Sequence, residues 1–116
     1  MITSQEFKKK LRKATTDNVS SIKIFLEATS TVNYDQIEKV IGKKEDMGRT
    51  IGGILSSLSR TVIDGEPLII PLGPDPSQPK ETTRRLLWKL NPAIIGSSEH
   101  QEELLKVTKE VLQERQ

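Results

Sequence analysis

The stretch from Asn33 to Arg60, NYDQIEKVIGKKEDMGRTIGGILSSLSR, decides the fold, because two short helices and the turn between them can be predicted from it. Asn33 is a typical N-cap residue, and Gly42 stands where a glycine commonly ends a helix. A second helical pattern runs from about Asp46 to Arg60. Two short helices joined by a tight turn with glycine are typical of a helix-turn-helix. The apolar residues predicted to face the core are Ile37, Val40 and Ile41 in the first helix and Met47, Ile51, Ile54, Leu55 and Leu58 in the second.

Two helices are predicted before this motif. The first covers about residues 4–14, with Thr3 opening a capping box and Phe7 and Leu11 on a thin apolar stripe. Asp17 is predicted to cap the second helix. Its apolar face consists of Val19, Ile22, Phe25, Leu26 and Thr29.

The segments after the motif predict a small β element and then more helix. The sequence IDGE predicts a turn, and PLIIP at 67–71 predicts a short edge strand because prolines bracket it. Residues 72–80 are expected to form an exposed loop and residues 81–90, ETTRRLLWKL, a helix. Ser98 with Gln101 predicts the start of a last helix. Its apolar side would be Leu104, Leu105, Thr108, Val111 and Leu112.

This order of elements predicts a mainly α fold, a helix-turn-helix of winged-helix type with a small β element and an extra C-terminal helix. We expect a winged-helix-like domain at residues 1–96, with residues 97–116 as a helix appended to the same domain. Length fits this expectation, since 116 residues suffice for one domain with one modest core. With 34% hydrophobic and 3% aromatic residues, that core must be built mainly from Ile, Leu and Val.

The composition argues against several classes of function. The chain has no cysteine, which excludes disulfides, thiolate metal sites and cysteine nucleophiles. His100 is the only histidine and is expected to be a solvated residue at a helix start, so neither a metal nor another cofactor is predicted. Carboxylates do not pair in an apolar context that would tune a general acid, so the chain is expected not to be an enzyme. No run is long enough to span a membrane and no secretory signal is evident, so we expect a cytoplasmic protein.

Two adjacent glycines in the second helix of the motif require an explanation. Gly52 and Gly53 each cost about 1 kcal/mol relative to alanine inside a helix. Both could serve close packing against another helix, or one could let the preceding helix approach closely while the other leaves bare backbone on the outer surface. A bare helix surface beside Arg49 would suit close approach to a sugar-phosphate backbone. The formal net charge of +2 is too small to decide between these alternatives.

The segments VNYDQIEKVIG, GRTIGGIL and GEPLIIP, in this order, resemble the DNA-binding domain of alkylguanine-DNA alkyltransferases and alkyltransferase-like proteins. The resemblance covers roughly residues 22–96. It implies that the helix from about 46 to 60 enters a DNA groove, that Arg49 takes the space of an extruded base and that Tyr34 presses on a phosphate. Base extrusion costs a few kcal/mol, and a filling side chain offsets part of it.

The resemblance fails at the family's reactive motif. Where the family has Pro-Cys-His-Arg, this chain has Pro71, Leu72, Gly73 and Pro74. Alkyl transfer is excluded because no thiolate is present to attack the alkyl group. The family's site is therefore expected to have lost its reaction and to have been reassigned.

Two functions follow as hypotheses. The first is non-enzymatic binding of double-stranded DNA. Its predicted contacts are Tyr34, Lys43, Lys44, Arg49, Thr50, Gly52, Gly53 and Arg60. The basic run from Lys8 to Lys13 could add phosphate contacts or be a solvated helix face. The alternative is a protein-interaction or regulatory module, in which the C-terminal helix binds a partner or a second copy, although packing on its own domain would also explain that helix.

Overall fold

A computed structural model of the chain describes residues 1–28, 31–42, 45–78 and 85–116. Most of these residues are helical, and two small antiparallel sheets complete the fold. The prediction of a mainly α fold with a small β element is confirmed. The elements in chain order are α1 Ser4–Arg12, α2 Thr16–Glu27, α3 Tyr34–Ile41, α4 Met47–Arg60, β1 Val62–Ile63, β2 Glu66–Pro67, β3 Ile69–Pro74, β4 Leu86–Leu90, α5 Pro92–Ile95 and α6 Ser98–Glu114.

The predicted ends of α3 and α4 are confirmed. The side chain of Asn33 accepts a hydrogen bond from the backbone of Gln36, whose side chain accepts one from the backbone of Asn33. Gly42 follows α3 with a φ of 74°, a conformation that favours glycine. Asp46 caps α4 by accepting a hydrogen bond from the backbone of Arg49. These bonds are local, so the sequence pattern alone could indicate them.

The predicted apolar faces are also found, with one exception. Ile37 and Ile41 are buried, and so are the central residues of the α4 face, but Val40 is 47% exposed. Val40 is therefore wrongly predicted as a core residue, since α3 is short and its buried stripe is narrow. Of the α2 face, Thr29 lies outside the described residues, and the other four predicted residues are buried.

Two helix caps lie close to the predicted ones but not on them. The N-cap of α2 is Thr15, whose hydroxyl accepts from the backbone of Asn18, and Asp17 lies in the first turn. The N-cap of α6 is Ser97, whose hydroxyl accepts from the backbone of His100, so Ser98 is already helical. In both places more than one nearby residue has a side chain that can cap a helix. The cap is the one whose backbone is extended, which is Thr15 for α2 and Ser97 for α6.

Residues 81–90 do not form the predicted helix as far as they are described, because Leu86–Leu90 is the strand β4. It pairs antiparallel with β3, from Ile69 opposite Leu90 to Pro74 opposite Leu86. On its other side Trp88 forms an isolated bridge with Val32. Leucine and lysine are good helix formers, but intrinsic propensity is a weak preference, and hydrogen bonding to neighbours on both sides outweighs it.

β3 is longer than the predicted strand and takes in residues expected to lie in a loop. Leu72, Gly73 and Pro74 belong to it, with a bulge between Pro71 and Gly73 that leaves Leu72 exposed. The predicted edge position agrees with the prolines, which cannot donate to a further strand. Before it, β1 and β2 form a small hairpin. Asp64 and Gly65, both with positive φ, make the turn predicted there.

The C-terminal helix α6 packs against α1 and α2. Leu104, Val107, Thr108 and Val111 are buried there, and Leu105 and Leu112 pack at the margin of the core. Charged side chains also link α6 to α1. Lys8 donates to Glu110 and Arg12 to Glu114, each at 2.8 Å. Arg115 donates to the backbone carbonyls of Leu11, Arg12 and Ala14.

These ion pairs make the stability of the protein depend on pH. The hydrogen bond from Lys8 lowers the pKa of Glu110, and the hydrogen bond from Arg12 lowers that of Glu114. A carboxyl whose pKa is lowered by folding stabilises the protein above its unfolded pKa, and that contribution disappears as pH falls through the folded pKa. We expect the thermal midpoint of Glu110→Gln/Glu114→Gln to fall less than that of the wild type between about pH 6 and about pH 3.

Glu103→Gln is the matched control for this measurement, because Glu103 is exposed on the same helix and no described residue forms an ion pair with it. It should keep the acid dependence of the wild type. Identical acid profiles for the wild type and the double variant would show that the pairs between α1 and α6 add no stability.

Candidate nucleic-acid interface

One side of α4 faces solvent and consists of small and basic side chains. At 100° per residue, Arg49, Gly53, Ser56 and Arg60 lie on one stripe, with Gly52 at its edge. We call these five residues the α4 outer face. The two arginines are separated by about 16 Å along the helix axis, at 1.5 Å per residue. Between them no long side chain covers the backbone.

The structure decides between the two explanations of the glycine pair. A Cβ atom added to Gly52 or to Gly53 would meet nothing within 4 Å among the described residues. Both glycines are exposed, and neither has a positive φ. Helix packing and backbone conformation therefore do not account for them. What they produce is bare backbone on the α4 outer face.

Arg49 projects from the start of this face. Its side chain is 90% exposed, and its only described ion pair is with Asp46, one turn earlier, at 3.7 Å. An exposed pair at that distance contributes little stability and is readily exchanged for another anion. Thr50 beside it is half-buried, and Arg60 is exposed at the end of the helix. Lys43 and Lys44, also predicted as contacts, lie outside the described residues.

A groove runs beside the α4 outer face, between α4 and β4. It has a volume of about 450 Å³. Its apolar part is formed by Ile51 and Leu55 of α4 and by Leu86 and Trp88 of β4, and its polar part by Ser56, Ser59, Tyr34 and Arg85. Gly48 and Gly52 contribute backbone to its wall. We call it the α4–β4 groove. Gly52 and Ser56 are shared between the groove and the α4 outer face.

Tyr34 is in this region but does not lie open to solvent. It is only 9% exposed, and the guanidinium carbon of Arg85 lies 3.8 Å from the centre of its ring. At this distance the cation is attracted by the ring face. The Tyr34 hydroxyl lies next to α4, where a Cβ atom on Gly48 would be 3.9 Å from it. Tyr34 thus joins α3, α4 and the start of β4.

A set of polar contacts fixes the end of the β3–β4 hairpin against α3. Arg85 donates to the amide oxygen of Gln78 at 2.9 Å, and the Gln78 amide donates to Asp35 at 3.2 Å. Asp75 is buried and accepts from the backbone and the hydroxyl of Ser77, which lowers the pKa of Asp75 and keeps it charged. These contacts hold Arg85 in place over Tyr34.

Arg85 and Trp88 were not predicted as site residues. Residues 81–90 were interpreted as a helix, and in that interpretation neither side chain has a reason to meet Tyr34. The signal available in the sequence was the pair of prolines around β3. An edge strand needs a partner, and LLWKL is the next apolar segment along the chain.

The basic run from Lys8 to Lys13 and His100 do not line the α4–β4 groove. Lys8 and Arg12 of the basic run are paired with α6, and Lys9, Lys10 and Lys13 remain exposed. His100 was expected to be solvated but is half-buried, and its Nε2 has no described hydrogen-bond partner. Within the described ranges no group of three or more His, Asp or Glu side chains is placed to hold a metal ion.

Comparison with known proteins found no matching family model, curated protein or solved structure. The resemblance to alkyltransferase-like proteins therefore stays a prediction. Over residues 1–28, 31–42, 45–78 and 85–116, the helices lack the combination of length and apolar composition that crossing a membrane requires.

Proposed function

We propose that this chain is a non-enzymatic DNA-binding protein of winged-helix type, with α4 as the helix that enters a groove of double-stranded DNA. The observation that carries the proposal is the α4 outer face. It combines a fully projecting arginine with two glycines whose place inside a helix is costly and has no packing reason in the described structure. Bare backbone next to arginine favours close contact with a sugar-phosphate backbone.

The order of the elements supports the winged-helix part of the proposal. α3 and α4 form the helix pair, and the β3–β4 hairpin follows α4 and lies beside it. Val32, between α2 and α3, adds a bridge to Trp88 on β4. In a winged helix a β-hairpin after the second helix of the motif is the wing, and β3–β4, which follows the small β1–β2 hairpin, takes that place in this proposal. Here it would flank the DNA with Arg85 at the foot of β4.

The resemblance to alkyltransferase-like proteins supports the same mode of binding but not the reaction. Leu72, at the position of the family's cysteine, lies on the bulge of β3 and faces a different cavity from the α4–β4 groove. The protein-interaction alternative has less support, because the apolar residues predicted for partner binding on α6 are packed against α1 and α2.

The proposal predicts the effect of Arg49→Ala. Affinity for a short labelled duplex, measured by fluorescence anisotropy, should fall by about tenfold, or ~1.4 kcal/mol. The thermal midpoint should change by no more than about 2 °C, because an exposed side chain with one weak ion pair adds little stability. Lys109→Ala is the control, since it removes one exposed positive charge from α6.

Salt dependence tests the proposal as a whole. The logarithm of the binding constant should fall linearly with the logarithm of salt concentration, with a slope of about −0.9 for each phosphate neutralised. Unmodified, mismatched and alkylated duplexes should be compared at low salt. If none of them binds, DNA binding is wrong for this protein. Equal losses of affinity and stability in Arg49→Ala would instead make Arg49 a structural residue.

A further inference from the structure

We infer that Arg85 is a phosphate-contacting residue of the β3–β4 hairpin and that Tyr34 is the ring on which it is positioned. This inference rests on the proposed function and adds a contact to it. It also changes the predicted role of Tyr34, because a ring that is 9% exposed and covered by a guanidinium is not free to press on a phosphate.

The guanidinium of Arg85 carries a positive charge. No described carboxylate forms an ion pair with it, whereas Lys8 and Arg12 each hold a glutamate of α6. Its described neighbours are a neutral ring and a neutral amide, those of Tyr34 and Gln78. Asp35 and Asp75 accept from the amide nitrogen of Gln78 at 3.2 and 3.5 Å, so two carboxylates lie one residue away from Arg85 and offset part of its charge. Neither pairs with the guanidinium, which keeps its direct contacts for an external anion.

Most hydrogen-bond donors of Arg85 are unused in the described contacts. A guanidinium has five N–H groups, and the described contacts use one, from Nη1 to Gln78. Arg85 is half-buried and lines the α4–β4 groove, and no described residue accepts a hydrogen bond from its other nitrogens. Their planar, forked arrangement matches two oxygens of a phosphate.

Arg85 lies beside the α4 outer face, and its guanidinium is held in place before a ligand binds. Arg85 lines the same groove as Gly52 and Ser56 of the α4 outer face, so a backbone laid along α4 passes close to it. The stack on Tyr34 and the bond to Gln78, itself bound to Asp35, restrict the guanidinium before any ligand arrives. A side chain ordered in advance loses less entropy on binding.

The test compares Arg85→Ala with Lys89→Ala in duplex binding. Both remove one positive charge from the β3–β4 hairpin, but Lys89 lines the cavity near Phe25 and Leu72 instead of the α4–β4 groove. We expect Arg85→Ala to weaken binding at least about fivefold and to make the salt slope shallower by about 0.9. Lys89→Ala should stay within about twofold of the wild type and keep its slope.

Variants at both residues separate contact from positioning. Arg85→Lys keeps the charge but not the planar fork, so it should retain the salt slope and recover only part of the affinity. Tyr34→Phe keeps the ring and should bind as the wild type does. Tyr34→Leu should weaken binding without changing the slope, and adding it to Arg85→Ala should cause no further loss.

The single tryptophan, Trp88, lines the groove and gives a second readout, since its fluorescence should respond to duplex in the wild type more than in Arg85→Ala.

The outcomes distinguish this inference from the proposed function. If the wild type binds duplex with a steep salt slope and Arg85→Ala binds equally well with the same slope, the Arg85 contact is wrong and DNA binding stands. If Tyr34→Phe loses as much affinity as Arg85→Ala, the hydroxyl of Tyr34 is the contact and its role as a platform is wrong. If the wild type binds no duplex at low salt, both conclusions fall together.

Discussion

Leu104→Ala is expected to lower the free energy of unfolding by about 2–5 kcal/mol, out of a total of about 5–15 kcal/mol for a domain of this size. Leu104 is completely buried, on the side of α6 that packs against α1 and α2. Removing three of its carbons loses their transfer free energy and leaves a cavity between packed helices. The loss should appear as a fall of about 8–20 °C in the thermal midpoint measured by circular dichroism.

Leu105→Ala is the matched control for this measurement. Leu105 is the next residue on the same helix, but it is only half-buried at the margin of the core. The same chemical change should therefore cost less than half as much. Similar losses at the two positions would show that α6 is not packed as the structure places it.

Truncation after Gly96 extends this test to the whole helix. It removes four buried residues of α6 and the bonds from Arg115 to the end of α1, so the shortened chain should show no cooperative unfolding transition. A truncated chain that unfolds cooperatively would contradict this expectation. In that case α6 would be an addition to an independently stable fold and would be available to a partner.

The elements that the sequence predicts well are those that local contacts determine. The caps of α3 and α4 depend on Asn33 and Asp46, each bonding three residues ahead, and the positive φ of Gly42 ends α3. The buried stripe of α4 follows from helical periodicity. None of these features depends on a distant part of the chain.

The features that the sequence predicts poorly depend on distant pairing. β4 is a strand because β3 and Val32 hydrogen bond to it from both sides, and Leu86–Leu90 carries little local evidence of this. Once the strand is placed, Arg85 lies over Tyr34, about fifty residues earlier in the chain. The sequence interpretation therefore missed the hairpin residues of the candidate site, and the predicted site on α4 stays a prediction.

The role of Gly52 and Gly53 could not be predicted from the sequence, because it depends on which residues of the fold lie near them. From the sequence alone, close helix packing and a bare outer surface explain Gly52 and Gly53 equally well. Among the residues that the structure describes, nothing lies within 4 Å of a Cβ atom at either position, which favours the second explanation. Glycine inside a helix lowers stability, and no described packing contact compensates for this at Gly52 and Gly53. This favours a functional role for the pair, because proteins retain locally unfavourable residues mainly at functional sites.

The double variant Gly52→Ala/Gly53→Ala is expected to be more stable than the wild type and to bind DNA less well. Both positions are helical and open, so alanine gains helix propensity without a clash. The gain should be about 1–2 kcal/mol in total, or about 4–8 °C in the thermal midpoint. Duplex affinity should fall by at least about tenfold, because two methyl groups hold the phosphate backbone away from α4.

Ser20→Ala separates stability from binding in this experiment. Ser20 lies on α2, has no described hydrogen-bond partner, and alanine there should also raise helix propensity, by about 0.5 kcal/mol. It should increase the thermal midpoint and leave duplex affinity unchanged. A fall in stability of the glycine variant would mean that the pair has a structural role. Unchanged affinity together with a higher midpoint would remove Gly52 and Gly53 from the DNA interface, because bare backbone would then play no part in binding.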